Sequence, residues 1–324
     1  MPELSPTPKR HGRLFRSLAA LVVMCAVAGY LVVQYLTGGA GTPGCKVVSG
    51  KSDGATYQFS PEQAVNAATI AAVGTGRGMP ERAVTIALAT ALQESALRNI
   101  DHGDRDSLGL FQQRPSQGWG TPTEILDPTY AANAFYTHLA KVPDYTRLPL
   151  TVAAQKVQRS GFPTAYAKHE PDATLLAAAL TGQSAATLTC EGRPATTQAA
   201  GTDAVRTALV RDFGRDVLEP ASAEVGAQAP TPTPSASGTG GGGRTVTLPV
   251  SDAGSGSGRS VRQRGWQLAH WAVANASALH IERVSYAGRQ WTAGNTDSQW
   301  RSADTEGAAG AEQTVDSVRI VTAQ

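Results

Sequence analysis

The chain has 324 residues, with 28 Lys and Arg against 26 Asp and Glu, for a net charge of +2. A balance so near neutral argues against a nucleic-acid partner or a strongly acidic substrate, either of which calls for a basic surface. Aromatics at 6% and a mean hydropathy of −0.20 suit a soluble body with disordered parts, and the length allows two modest domains plus tails.

The first segment with a clear pattern is residues 17–36, SLAALVVMCAVAGYLVVQYL, which carries no charge. A run of about 20 apolar residues is long enough to cross a bilayer as a helix. Lys9, Arg10, Arg13 and Arg16 precede it and no basic cluster follows closely. The positive-inside rule then leaves residues 1–16 as a cytoplasmic tail and puts everything after residue 36 outside. A cleaved signal peptide is the competing reading, but the run is long for one and no small-residue cleavage site follows it. The expectation is a signal anchor: a single-pass protein of the cytoplasmic membrane with its later domains outside. One span does not build a solute path, which speaks against a transporter.

Cys25 lies inside the span and leaves Cys45 and Cys190 on the exported side. Two exported cysteines bracketing one segment are expected to form a disulfide. Closing so long a loop is worth roughly 5 kcal/mol in chain entropy. Between them the pattern is helical. Ser60-Pro61-Glu62-Gln63 supplies an N-cap, a proline at N1 and a Gln at N3, which predicts a helix over 61–73. Pro80-Glu81 opens a second over 81–98, with Val84, Leu88, Ala91 and Leu92 at helical spacing. Asp127-Pro128 opens a third, with Tyr130, Ala134 and Leu139 expected on its buried stripe. Further helices are expected over 150–159 and 173–180. Residues 45–190 therefore read as one helical domain.

Residues 205–213 suggest another short helix. The stretch 228–243, QAPTPTPSASGTGGGG, cannot bury a core, and 219–260 reads as a flexible linker. Residues 261–324 form a last unit. Residues 261–279 read as an amphipathic helix, followed by strand-like runs over 281–286 and 315–321, and 203–218 and 244–250 are open to inclusion. The fold class expected is mainly α: one transmembrane helix, a helical domain, a disordered linker and a small α/β carboxy-terminal unit.

Glu94 is the residue of chemical interest. Cutting a glycosidic bond requires an acid to protonate the leaving oxygen, commonly a carboxyl group whose pKa is raised by apolar surroundings. Glu94 follows the apolar run 86–92 and stands where a helix gives way to the loop NIDHGDRD. The pattern alone favours a hydrogen-bonded or solvated helix-end glutamate over a catalytic one. Asp101, Asp104 and Asp106 raise the alternative of a second carboxylate holding a water. Calcium is not expected there, because the loop lacks the DxDxDG order and a twelfth-position glutamate. A set of loop-ordering contacts among the aspartates and Arg105 is preferred.

Glu94-Ser95, Asn99 and Ser107-Leu108-Gly109-Leu110-Phe111-Gln112 together resemble the signature of the lysozyme-like soluble lytic transglycosylases, a superfamily that includes goose-type and phage-type lysozymes. Asn133-Ala134-Phe135-Tyr136 is similar to the family's second motif. The third, usually Ala-Tyr-Asn-Ala-Gly, is replaced by residues 153–160. There Gln155-x-x-Gln158, then Phe162-Pro163 and Tyr166, is closer to the goose-type and phage-type variant. The resemblance covers residues 57–180. It implies that Glu94 is the general acid and base in cleavage of the MurNAc–GlcNAc bond of peptidoglycan. The sugar's own acetamido group would stabilise the anomeric carbon, and its 6-hydroxyl would close a 1,6-anhydro ring. Ser95, Gln112, Gln113, Tyr136, Gln155 and Tyr166 would bind or orient the substrate, and no cofactor is implied. Trp119 is open equally to stacking on a sugar and to a packing role. A wall-glycan-binding or scaffold protein that no longer cuts is the alternative.

The carboxy-terminal unit has a fainter resemblance to a peptidase-like wall domain. Asp316-Ser317-Val318-Arg319 stands where that domain has two histidines, so no metal is expected. An envelope protein is the partner expected for this unit.

Overall fold

The computed structural model describes residues 44–51, 53–159, 164–191, 201–218, 244–250, 259–294, 299–303 and 315–323. The expected membrane span and most of the expected linker lie outside these residues. Among the described residues no helix is long and apolar enough to cross a membrane. From residue 44 onward they cluster as one compact unit.

Strand β1 (Cys45–Val48) runs antiparallel to β2 (Thr56–Phe59). Helix α1 (Pro61–Gly76) starts as expected, with Ser60 and Gln63 forming a reciprocal capping box, and extends three residues past the expected end. Helix α2 (Glu81–Ser95) stops at Ala96, which takes a left-handed conformation. The short α3 (Pro122–Ile125) precedes α4 (Pro128–Leu139), whose N-cap Asp127 accepts from the amides of Thr129 and Tyr130. Helices α5 (Leu150–Gln158) and α6 (Glu170–Leu180) complete the helical layer. Strand β3 (Leu188–Cys190) returns to pair antiparallel with β1, placing Cys45 opposite Cys190, and a disulfide joins the two.

Helix α7 (Gly201–Phe213) and strand β4 (Thr245–Pro249) follow. Helix α8 (Val261–Ala274) continues into the one-turn α9 (Ala276–Leu279). Strands β5 (Ile281–Tyr286), β6 (Arg289–Thr292), β7 (Arg301–Ser302) and β8 (Ser317–Thr322) then build an antiparallel sheet with β4, in the order β4-β8-β5-β6-β7. The run 244–250 thus pairs with the last strand of the chain.

Two expectations change. The mainly α class is corrected to helices combined with two antiparallel sheets. The first sheet has strands of only three or four residues. Alternation over so few residues is a weak signal, and the pairing of β1 with β3 depends on residues far apart in the chain. Helix α8, expected to be amphipathic, is buried continuously from Gly265 to Ala274. It packs against α1, α6 and β3 and against β5 and β8, so from Gly265 onward it has no face left for solvent. On α4 the buried residues are Ala131, Ala132, Phe135, Tyr136 and Leu139, which leaves Tyr130 and Ala134 outside the stripe.

Polar groups fix how α8 is seated. The buried Asp212 carboxylate accepts from Trp271 Nε1 at 2.8 Å, from Thr69 Oγ1 at 3.3 Å and from Arg211 Nε at 2.7 Å, so the buried charge is paired and hydrogen-bonded. The Thr187 amide donates to His270 Nε2 at 3.2 Å, and His270 Nδ1 lies 2.8 Å from Ala179 O. The first bond makes Nε2 the acceptor. Nδ1 therefore carries the proton and donates.

Candidate active site

Glu94 occupies the last turn of α2, and the backbone beyond it is held from several sides. Ala96 and Leu97 both have positive φ, a conformation that needs support in residues other than glycine. Support comes from α1: Gln63 Nε2 donates to Ala96 O and Asn66 Nδ2 to Leu97 O, each at 2.8 Å. Ser95 Oγ donates to Leu110 O at 2.8 Å and to Ala91 O at 3.1 Å. Asn99 Nδ2 donates to Leu126 O at 2.7 Å.

The Gly-Leu-Phe-Gln stretch is a tight hairpin. Leu108 and Gln113 exchange backbone bonds of 2.9 and 3.0 Å. Gly109 has φ +73, and a Cβ there would stand 2.6 Å from Ile125 O, so the position accepts only glycine. Phe111 stacks on Phe135 with 4.7 Å between ring centroids. Its carbonyl accepts from Gln158 Nε2 at 2.7 Å.

These anchors deliver two partners to Glu94. The Tyr166 hydroxyl donates to Oε1 at 2.6 Å, and the Gln158 amide stabilises the charged carboxylate from α5. Burial pushes the Glu94 carboxyl above its ordinary value, while Tyr166 and Gln158 act in the opposite sense by stabilising the charged form. The position at a helix C-terminus works with burial, since that end of the helix dipole disfavours negative charge. The group is half-buried and not sealed from solvent.

The other expected site residues divide. Tyr166 reaches Glu94 and Tyr136 does not. The Tyr136 hydroxyl donates to Ile70 O at 3.0 Å inside the core, and its ring packs where a Cβ on Gly74 would meet it. Gln113 is buried and donates to Ala131 O at 3.1 Å. Gln112 Nε2 donates to the carbonyls of His102 and Gly109, both at 3.3 Å, across a Gly103 whose missing side chain makes room for it. Gln155 is half-buried one turn before Gln158 on α5. Gln158, the second Gln of the Gln-x-x-Gln pattern, is an amide that acts on the Glu94 carboxyl.

Among the aspartates, Asp106 accepts from Arg114 Nε at 2.7 Å and from the Ser116 amide at 2.8 Å, and these contacts hold its carboxyl far below the usual range. The ordering arginine is therefore Arg114. Arg105 makes only an exposed 4.0 Å contact with Asp104. Among the described residues no group of three or more His, Cys, Asp or Glu side chains converges to hold a metal ion.

Over residues 199–314 the chain is similar to the family described as VldE, C-terminal domain. That stretch begins beside α7, runs through β7 and leaves Glu94 outside it. No curated protein matches the chain.

Proposed function

We propose that the chain cleaves peptidoglycan strands outside the cytoplasmic membrane, held there by the span at residues 17–36, with Glu94 as acid and base. The observation that carries this reading is the pairing of a half-buried carboxyl of raised pKa with a tyrosine hydroxyl 2.6 Å away. A protonated Glu94 gives its proton to the glycosidic oxygen as the bond to the anomeric carbon breaks. The MurNAc acetamido oxygen closes onto that carbon and takes up the developing charge. The Glu94 carboxylate then removes the proton of the 6-hydroxyl, which attacks the same carbon and releases the acetamido group as a 1,6-anhydro sugar forms. No second protein carboxylate enters. Asp106 is already held by Arg114 and Ser116, which favours transglycosylation over delivery of water by that group.

The test is digestion of purified sacculi by the full chain in mild detergent, with products analysed by mass. Anhydro-muropeptides are expected, and Glu94→Gln is expected to remove them. Reducing-end muropeptides would indicate a muramidase instead. The rival is a wall-glycan-binding or envelope scaffold protein that no longer cuts. It is favoured by the inward turn of Ser95, Gln113 and Tyr136, which leaves fewer groups to grip a sugar. Binding to sacculi without release of product from wild type would select it.

A further inference from the structure

A groove of about 580 Å³ opens at the end of α5. Gln158 lines it, on a helix packed against the Glu94 helix α2, and the same side chain stabilises the charged Glu94 carboxylate, which sets the groove near the acid. One wall is Trp119, whose ring lies 4.2 Å from the His138 imidazole between centroids. That wall is held in place: the Tyr130 hydroxyl donates to Trp119 O at 3.3 Å. Gly120, at φ +136, leaves the space that the Tyr130 ring fills. Lys141, Lys156 and Arg159 also line the groove, and no acidic side chain does so among the described residues. All three cations are exposed, and none belongs to an ion pair among the described residues.

Three like charges in one groove repel each other, and neutral sugar hydroxyls can accept hydrogen bonds from them without offsetting that repulsion. A ligand with negative charge relieves that repulsion and fixes its own register against the acid. N-acetylglucosamine is neutral, and the lactyl carboxyl of N-acetylmuramic acid is capped as an amide wherever a stem peptide is attached; the charge on such a strand is carried by the peptide or by polymers linked to it.

We infer that the groove lined by Trp119, Lys141, Lys156 and Arg159 is a subsite for an anionic substituent of the glycan strand, a stem-peptide carboxylate or a strand-linked phosphodiester, beside the bond that Glu94 addresses. This rests on the reading of Glu94 as a glycan-cutting acid. It makes the preferred substrate a decorated strand and not a bare one. Trp119 covers the apolar face of the sugar or peptide, and the cations take the charge.

The experiment measures binding of the full chain carrying Glu94→Gln to three kinds of sacculi. These are intact, stripped of stem peptides by an amidase with the lactyl carboxylates so freed then capped as neutral amides, and stripped of phosphodiester polymers by mild acid. The second chain adds Lys141→Gln, Lys156→Gln and Arg159→Gln. Three exposed ion pairs together correspond to about tenfold in affinity. Tighter binding to intact sacculi by about that factor is expected, lost on one of the two stripping treatments and in the triple variant. Which treatment removes it identifies the anion. A charge-matched control, Arg262→Gln with Arg283→Gln and Arg319→Gln, changes exposed arginines elsewhere and is expected to keep the preference. Equal binding to all three sacculi, or equal loss in the control, overturns the subsite. Digestion by the chain without Glu94→Gln, measured in parallel, separates the two readings. Cutting without any preference for intact strands rejects the groove alone. Preference without cutting rejects the catalytic reading and keeps the groove.

Discussion

The Tyr166 hydroxyl and Glu94 Oε1 are 2.6 Å apart, and the two residues come from separate stretches of chain joined only by the fold. Tyrosine donates here and the carboxylate accepts, so the bond favours the charged form. Burial opposes it and is the larger influence. Tyr166→Phe removes only the donor. The Glu94 pKa should then rise further, and the alkaline limb of the activity profile should move to higher pH. A pH–rate series on sacculi checks this, and a limb unmoved or moved toward acid would separate Tyr166 from the acid.

Glu94→Gln should lower activity by about 100-fold or more, the usual contribution of a general acid and base. It should also stabilise the protein at neutral pH. The folded pKa of Glu94 is raised above its ordinary 4.5. Between the two values the folded state holds a proton that the unfolded state has lost, so stability falls as pH rises through that window and the loss persists above it. The glutamine variant has no such loss. Thermal melts at pH 7 should favour Glu94→Gln, and the difference should close below about pH 4, where both states of the wild type are protonated.

Much of this site can be read from sequence, though not the division of labour within it. The helix starts at Ser60 and Asp127 were legible because capping is local chemistry. The cysteine pair was legible because only two cysteines lie outside the apolar run at residues 17–36. Ser95, Gln113 and Tyr136 were expected at the substrate and instead satisfy backbone carbonyls at Leu110, Ala131 and Ile70. A motif records which side chains are needed, but a polar residue that braces a loop and one that meets a ligand look alike until burial is known.

Replacing both Cys45 and Cys190 by serine should cost about 3 to 5 kcal/mol. Their strands, β1 and β3, pair at the two ends of the helical segment, 145 residues apart in sequence, and the bond removes that loop's freedom from the unfolded chain. Urea melts with and without reductant measure the change. The double serine variant should match the reduced wild type and ignore reductant. A midpoint in the serine variant equal to that of the oxidised wild type would mean the bond contributes nothing.

Gly182 closes the turn after α6, at φ +78, and a Cβ there would stand 1.8 Å from Gln263 O on α8. Neither the backbone conformation nor the space accepts a side chain. Gly182→Ala should therefore separate α6 from α8 and cost about 3 kcal/mol, at the upper end of an overpacking substitution. Amide exchange in α8 should accelerate in the variant, while the turn after Glu94, fixed from α1, should keep its protection.

His270 makes the same junction sensitive to acid. Burial lowers its pKa to about 4, with the Ala179 carbonyl acting in the other direction. The folded state keeps the ring neutral because Thr187 donates to Nε2, and a proton there would turn acceptor into donor against an amide. The unfolded ring takes its proton near pH 6.5. Between that value and about pH 4 the unfolded chain binds the extra proton, so stability is full above the window and is lost as pH falls through it. The loss should approach roughly 3 kcal/mol at the lower end. His270→Gln preserves one acceptor and one donor and cannot titrate. It should start less stable at pH 7 and show a flatter decline between pH 6.5 and pH 4 in chemical denaturation. A decline as steep as that of wild type would assign the acid sensitivity to other groups.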